Sequence, residues 1–349
     1  MPARTVRSTV VVIAVSTLLA ACGASSSGGD GGTGAADAST STPAAELASA
    51  VRTLGAAHTL NLQLSLGASG ADLLQIASGL GGDAPTKPQA DAIGNDHIGI
   101  QLQAAPGKTV ADGGTGAAMG GAFALTLGDD SEDYFTLEAV AGALYGHIDL
   151  RYFLNLVGGS PSFNAVQRQV AGAPAFVRDA VAGKWITLSA ATLKSLSGLA
   201  QGQLGATPSA SKIAGLYNKM LTTLLADVAV TRSSSSGTDD LKVTFRLREL
   251  LTDEYDAIAP VISAYVPGGA EAFPPLKPKD VPDVAVTFDA FVANGALTKV
   301  VLDAGQFDTK EHISVPIDLN ISQQGPTISA PSNATAIDLS SLGQLFADA

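Results

Sequence analysis

The sequence has few of the residues on which disulfide-stabilised domains, metal sites and most active sites depend. Its 349 residues include one cysteine, one tryptophan and four histidines. A single cysteine excludes an internal disulfide, so the burial of apolar side chains must stabilise the fold. His58, His97, His147 and His312 do not have the spacing of metal ligands, and no H-E-x-x-H or G-x-S-x-G motif occurs. We therefore expect no enzyme activity, no cofactor and no metal centre.

Positive charge is also scarce, because 20 lysines and arginines face 32 aspartates and glutamates, which gives a net charge of −12. Nucleic-acid binding needs clustered cations against the phosphates, so we predict no nucleic-acid partner. Two acidic clusters, 129–133 and 239–240, lie between predicted strands. Their carboxylates suit weak calcium binding or a solvated turn, and the turn is the simpler interpretation.

Long apolar runs are absent after the first 20 residues. Near the N-terminus, Arg4 and Arg7 precede the apolar stretch Val10–Val15, and small residues follow. This order is typical of a secretory signal peptide, and the stretch is shorter than the roughly 20 residues that a membrane span needs. A retained anchor helix is the alternative. We predict that residues 1–21 are a cleaved signal peptide.

The only cysteine follows directly, in the sequence Leu19-Ala-Ala-Cys22. This stretch resembles the lipobox of bacterial lipoproteins, which implies cleavage before Cys22 and attachment of diacylglycerol and a further acyl chain such as palmitate. Two or more chains hold a protein on a membrane for long periods, whereas one chain holds it only marginally. Residues 22–42 then form the lipidated cysteine and a Gly- and Ser-rich tether, whose flexible part would reach about 25 Å. The expected location is the extracytoplasmic face of the cell membrane.

Beyond the tether, strand-like and helix-like patterns are mixed. Alternating apolar residues predict strands, and spacings of three and four predict helices. The predicted strands are Leu60–Leu66, Ile98–Leu102, Phe123–Leu127, Phe135–Leu137, Ala143–Ile148, Lys184–Leu188, Val228–Val230, Leu241–Leu247, Val284–Phe288, Leu297–Leu302, Ile317–Ile321 and a short Pro326–Ala330. The predicted helices are Pro43–Leu54, Asp149–Val157, Ala165–Ala182, Ala190–Leu199, Ser209–Ala226, Arg248–Val266 and Asp338–Phe346. Asn294-Gly295 signals a tight hairpin turn.

These runs of hairpins interrupted by helices predict an α+β fold. We expect a strongly curved antiparallel sheet, an open half-barrel, with helices on its concave face. Residues 43–349 would form a single domain, with Gly- and Ala-rich insertions near 67–95 and 104–121.

Four short stretches carry a resemblance to a known family. They are Gly142-Ala-Leu-Tyr-Gly-His-Ile-Asp149, Gly183-Lys-Trp-Ile-Thr-Leu188, Gly295-Ala-Leu-Thr-Lys-Val300 and Pro326-Thr-Ile-Ser-Ala-Pro331. Together they resemble the actinobacterial LprG/LppX-type lipoproteins, which are similar to the LolA and LolB carriers. The resemblance implies a LolA-like fold with an apolar cavity and the binding or transport of a lipid or glycolipid.

An acyl chain needs an apolar slot with little directional chemistry. Seven residues alternate toward one face of predicted strands and are the candidate lining of that slot: Phe123, Leu125, Phe135, Leu137, Phe245, Val286 and Phe288. Ordinary packed core is the other interpretation of each. An envelope structural or signalling protein that binds a protein partner and has no ligand cavity is the alternative function.

Overall fold

The structure is a computed structural model that describes residues 42–79, 85–112, 120–129, 131–157, 162–200, 228–233, 239–249, 283–307, 314–338 and 341. Its helices are α1 Pro43–Gly55, α2 Gly70–Gly79, α3 Lys87–Asn95, α4 Leu150–Val157, α5 Phe163–Gln169, α6 Ala175–Val181 and α7 Ala190–Ala200, with 3-10 turns at Val110–Asp112 and Ala304–Phe307. Its strands are β1 Thr59–Leu66, β2 His97–Gln103, β3 Ala122–Gly128, β4 Asp133–Val140, β5 Ala143–Ile148, β6 Ile186–Leu188, β7 Ala229–Ser233, β8 Asp239–Arg246, β9 Ala285–Ala293, β10 Ala296–Asp303, β11 Pro316–Ser322 and β12 Thr335–Ala336.

The predicted α+β class is confirmed, because these strands pair in open, mainly antiparallel order and helices pack on them. One pair departs from the prediction: β12 runs parallel to β6, so the sheet is mixed. By its internal contacts the chain divides into two compact units. The first unit comprises residues 1–58, 108–113 and 206–316, and the second unit comprises residues 59–107, 114–205 and 317–349.

The first unit contains the strand order β10-β9-β8-β7 with α1 packed on it. Helix α1 begins at Pro43, and the side chain of Thr42 accepts a hydrogen bond from the Ala45 amide, which caps the helix. The apolar face of α1 is buried together with the inward side chains of β8, β9 and β10. The most deeply buried residues of this core are Ala50, Leu54, Leu241, Val243, Val286, Ala290 and Leu297. Arg232 of β7 forms an ion pair with Glu46 of α1.

The second unit contains the strand order β12-β6-β5-β4-β3-β2-β1-β11. Strand β1 lies between β2 and β11, and these two neighbours are more than 200 residues apart in the sequence. Helix α3 contacts β1 and α2, and helices α6 and α7 contact β5.

The region 67–95, predicted only as an insertion, contains helices α2 and α3. Each begins with a cap that the sequence displays: Ser69 with Asp72, and Thr86 with Gln89. The amide of Thr86 donates to the Gln89 side chain at 2.9 Å, which is half of a capping box. Local capping residues therefore favour these two helices, and the Gly- and Ala-rich composition of the region does not reveal them.

Two other predictions about elements were wrong. Ala165–Ala182 forms two helices, α5 and α6, because Pro174 lacks an amide donor and its ring disfavours helix in the preceding residue. Pro326–Ala330 is extended but is not a strand, since its hydrogen bonds go to side chains. The predicted helices 209–226, 248–266 and 338–346 lie wholly or largely outside the described residues.

Candidate functional site

The second unit has a continuous apolar face that runs across its strands. Residues directly opposite each other in a sheet share a face. One such row joins Leu62, Ile100, Leu125 and Leu137 through the register of β1 to β4. We call the part of this face on β2 to β6 the apolar face. Its members are Ile98, Ile100, Leu102, Phe123, Leu125, Leu127, Phe135, Leu137, Ala139, Leu144, Gly146, Ile148, Ile186 and Leu188.

Four of the predicted lining residues lie on this apolar face. Leu125 is opposite Leu137, Phe135 is opposite Leu127, and Phe123 is opposite Ala139. The period-two pattern of β3 and β4 therefore placed these side chains correctly on one surface of the sheet. The register that brings them together was not visible in the sequence, because it depends on which strands pair.

The apolar face is only partly buried. Its residues on β2 to β6 are half-buried, and Ile98 is 39% exposed. Where the same surface continues onto β1, Leu60 and Leu62 are 0% and 3% exposed, and Leu64 and Leu66 are half-buried. The apolar surface thus becomes more accessible on the strands that carry the candidate residues.

On β3 and β4, the reverse face carries smaller or more polar residues, and several of them are better buried. The reverse-face residues Ala122, Ala124, Tyr134 and Thr136 are all less than 9% exposed. On β3 and β4, small or polar side chains are therefore better covered than the leucines and phenylalanines on the opposite face, although large apolar side chains are usually the more buried.

The remaining candidates, Phe245, Val286 and Phe288, lie in the first unit. Phe245 is paired with Val286 across β8 and β9. The rings of Phe245 and Phe288 meet edge to face with centroids 6.4 Å apart. Both rings pack against a cluster of Leu247, Val286 and Leu302, in which Val286 is 1% exposed. This packing agrees with the alternative interpretation of these residues as ordinary packed core.

A C-terminal segment covers the reverse face. We call residues 323–337 the strap. The side-chain amide of Gln101 donates to the carbonyl of Pro326, and the amide of Ile328 donates to the side-chain oxygen of Gln103 at 2.9 Å. Two β2 glutamines thus bind the strap's backbone, which explains why these polar side chains occupy a covered surface.

Apolar packing holds the middle of the strap. Ile328 is 7% exposed and packs with Ala122 and Ala124 of β3 and with Val140 of β4. Small residues on β3 leave the space that the isoleucine fills. The sequence shows Ile328 as an apolar residue between prolines, but it does not show which residues Ile328 packs against.

The far end of the strap joins β6. The amide of Thr335 donates to the carbonyl of Trp185 at 2.8 Å, and the amide of Ile337 donates to the carbonyl of Thr187 at 2.9 Å. The Thr335 hydroxyl also donates to Asp179 at 2.7 Å. The strap is therefore attached at β2 and again at β6.

An aromatic cluster that sequence reasoning missed lies on the reverse face where β4 begins. The rings of Tyr134 and Tyr152 are stacked with centroids 3.9 Å apart, and Phe153 meets Tyr134 edge to face. The Tyr152 hydroxyl donates to Asp96 at 2.8 Å. Burial, reinforced by Asp96, raises the pKa of Tyr134 to about 12 and raises that of Tyr152 further.

The histidines fill separate local roles in the described ranges. His58 Nδ1 lies 3.2 Å from the Lys108 carbonyl oxygen, and the ring of His147 lies 5.4 Å from that of Trp185. His97 Nε2 is 3.7 Å from a carboxylate oxygen of Asp133. His312 lies outside the described residues.

The acidic clusters are part of turn and strand structure. Asp129 accepts hydrogen bonds from the amides of Ser131 and Glu132 and from the Ser131 hydroxyl, and these bonds lower its pKa. The interpretation of a turn fits this geometry. Asp239 and Asp240 lie within β8, not between strands as we predicted. Within the described ranges, no three His, Cys, Asp or Glu side chains converge on a site for a metal ion.

Residues 1–41, including Cys22, lie outside the described residues. None of the described helices combines the length and apolarity that crossing a bilayer requires.

Comparison with known proteins yields a distant structural likeness. No protein-family model matches the chain, and no curated protein matches it. Among solved structures, the chain is similar to the crystal structure of the lipoprotein LppX of Mycobacterium tuberculosis, with 10% identity, 82% of this chain and 97% of that chain covered, and a TM-score of 0.32. A likeness at this score is too small to carry an argument about what the present chain does.

Proposed function

We propose that this protein is a membrane-anchored extracytoplasmic lipoprotein that binds or carries a lipid or glycolipid, and that the lipid's acyl chains contact the apolar face. The observation that carries the proposal is the contrast in burial between the two faces of β3 and β4. Partly exposed aliphatic and aromatic side chains form one surface, while the small and polar residues behind them are covered.

The chemistry of the apolar face suits hydrocarbon. Its members on β2 to β6 include no charged or hydrogen-bonding side chain. Such a surface offers an acyl chain area and no directional contacts, which is the usual character of lipid sites. Contiguous exposed apolar surface on a protein marks a place where a ligand, a membrane or a partner binds.

Anchoring would place this surface beside its source of lipid. The lipobox-like sequence at Cys22 supports acylation, and the Gly- and Ser-rich residues that follow support a tether to the membrane. The body begins at α1, which is capped at Thr42, so the tether joins folded structure without a further linker.

Two isoleucines of nearly equal exposure provide a matched test. Ile98 belongs to the apolar face and is 39% exposed, whereas Ile93 lies on α3, outside that face, and is 41% exposed. The chain from residue 22 with Cys22→Ser would be produced in a lipid-rich host, and copurified lipid measured by native mass spectrometry. We expect lipid on the parent protein and on Ile93→Glu, and at least tenfold less on Ile98→Glu. Losing the burial of one isoleucine and placing a charge beside hydrocarbon costs roughly 1.5–3 kcal/mol or more.

A bare chain in the parent protein's spectrum would count against the lipid proposal. Equal lipid on Ile98→Glu and Ile93→Glu would move any lipid site away from the apolar face. If no lipid is present and the Ile98→Glu variant alone loses a protein partner in the native envelope, the alternative of a partner-binding envelope lipoprotein would replace it.

A further inference from the structure

Glu138, a half-buried residue of β4, has one fully buried carboxylate oxygen on the reverse face. Glu138 of β4 is opposite Ala124 on β3 and Tyr145 on β5, so it shares the reverse face with them. Among the described residues, its Oε2 atom is buried and has no hydrogen-bond partner. A buried polar atom without a partner is unusual in a folded protein and calls for a physical explanation.

The strap is attached on both sides of Glu138. Ile328 packs against Ala124, the direct neighbour of Glu138, and against Val140, two residues further along β4. The strap next bonds to β6 at Thr335. Ala336 of the strap pairs with Thr187, so the strap is attached at both ends of the row that contains Glu138.

The surroundings of Glu138 offer no compensating charge. On its own strand the same face carries Thr136 and Val140. The neighbouring residues in its row, in order across β2, β3, β5 and β6, are Gln101, Ala124, Tyr145 and Thr187. Residues 323–337 contain no acidic or basic side chain. The ionisable groups in the described surroundings are the Tyr145 phenol directly opposite on β5, His147 one pair further along β5, and the Asp179–Lys184 pair at the far end of the strap.

Burial raises the pKa of the Glu138 carboxyl group, with no opposing hydrogen bond or charge. The closed strap therefore favours the neutral acid, and an open strap would return Glu138 to water and to its ordinary pKa. Closure is fully stabilised below the ordinary glutamate pKa of about 4.3, and that stabilisation is lost as the pH rises through the raised pKa.

We infer that Glu138 makes closure of the strap depend on protonation: the strap is held over β2 to β6 when Glu138 is neutral and loosens when Glu138 is ionised. The inference concerns the reverse face of the sheet and is independent of whether the apolar face binds lipid.

Hydrogen exchange tests the inference on the whole mature chain. Exchange of the Ile328, Thr335 and Ile337 amides, corrected for intrinsic rates, would be followed from pH 4 to 7.5 in the parent protein, Glu138→Gln and Glu132→Gln. Glu132 lies in the exposed β3–β4 turn and is the matched control. We expect parent protection to fall with rising pH, by up to about tenfold per pH unit where Glu138 titrates. Glu138→Gln should keep its low-pH protection throughout, whereas Glu132→Gln should follow the parent.

A parallel pH dependence in the parent protein and Glu138→Gln would overturn the inference. Carbon-13 NMR titration of the Glu138 carboxyl group in the unaltered chain provides a second measurement that requires no variant. A raised pKa there supports the inference, and an ordinary one overturns it.

Discussion

At the scale of single residues, hydrogen bonds decide which ionisable groups have unusual pKa values. Tyr134 and Tyr152 are held in their neutral forms by burial and by Asp96. Asp303 shows the opposite balance. Burial raises its pKa, but bonds from the Val315 and Gly305 amides and the Ser314 hydroxyl outweigh burial, so the pKa is lowered. None of these partners is a sequence neighbour that a motif would reveal, apart from Gly305.

The tyrosine stack predicts a loss of stability in alkali. Unfolded tyrosine ionises near pH 10, so the folded state is stabilised below that pH and loses this contribution as the pH rises toward about 12, the raised value of Tyr134. Tyr152→Phe keeps the stack but removes the bond to Asp96, and we expect it to lower the free energy of unfolding at pH 7 by about 1 kcal/mol. It should also weaken the alkaline dependence. Urea unfolding between pH 7 and 11.5 checks this, with Tyr145→Phe, outside the stack, as the control.

Asp303 predicts a loss of stability in acid. Because its pKa is lowered in the folded state, its contribution is present above the ordinary aspartate pKa of about 3.9 and is lost as the pH falls through the lowered value. Asp303→Asn should be less stable than the parent at pH 7, and the difference should shrink toward pH 2. Thermal unfolding across that range measures it, and a difference that does not change with pH would contradict the assignment.

At the scale of elements, two hairpins solve the same geometric problem with different residues. Ala141-Gly142 joins β4 to β5, and Asn294-Gly295 joins β9 to β10. All four residues have positive φ, 50° and 79° in the first turn and 54° and 74° in the second. Asparagine and glycine adopt positive φ at little cost, whereas alanine adopts it only with steric strain.

The two turns predict a reciprocal pair of effects. Ala141→Asn should raise the free energy of unfolding by about 1 kcal/mol, and Asn294→Ala should lower it by a similar amount, because each exchange changes the cost of positive φ at the first turn position. Denaturant unfolding of the two variants and their parent checks both signs. Two changes of the same sign would show that side-chain contacts, not backbone strain, dominate.

The elements that the sequence predicted best are those with local causes. Three features follow from neighbouring residues alone. They are the Asn294-Gly295 hairpin, the cap of α1 at Thr42, and the cap of α7, in which the Ser189 hydroxyl accepts a hydrogen bond from the Thr192 amide. The prediction of a strand at Pro326–Ala330 was wrong because this segment binds Gln101 and Gln103. In each of these two hydrogen bonds the partners are 225 residues apart in the sequence. Separation of that size leaves no periodic signal.

At the scale of the whole molecule, the candidate site was predictable only in part. Alternation placed Phe123, Leu125, Phe135 and Leu137 on one surface, and the register confirms that they share it. Alternation alone did not separate these residues from Val286, which lies in packed core. The distinction depends on what covers each face, and in the second unit the strap covers part of β3 while helix α4 covers the start of β4 on the reverse face.

Acylation at Cys22 is the whole-molecule prediction. The full chain expressed in a bacterium that processes lipoproteins should incorporate radiolabelled palmitate and sediment with membranes. Cys22→Ser should do neither, because the predicted acylation site is the sulfur of the only cysteine in the sequence. Membrane retention of an unlabelled Cys22→Ser chain would favour the retained anchor helix.

The seating of α1 on β9 and β10 has a consequence for the order of events during biosynthesis. The helix emerges near the beginning of translation, while its partners are made about 240 residues later, as the residue numbers of Pro43, Ala285 and Ala296 show. The turn Val110–Asp112 and strand β7 also contact α1 and are made earlier, but the core around Leu47, Val51 and Leu54 stays incomplete until the ribosome reaches β9 and β10. An incompletely folded chain of this kind is the form that a protein export channel can translocate.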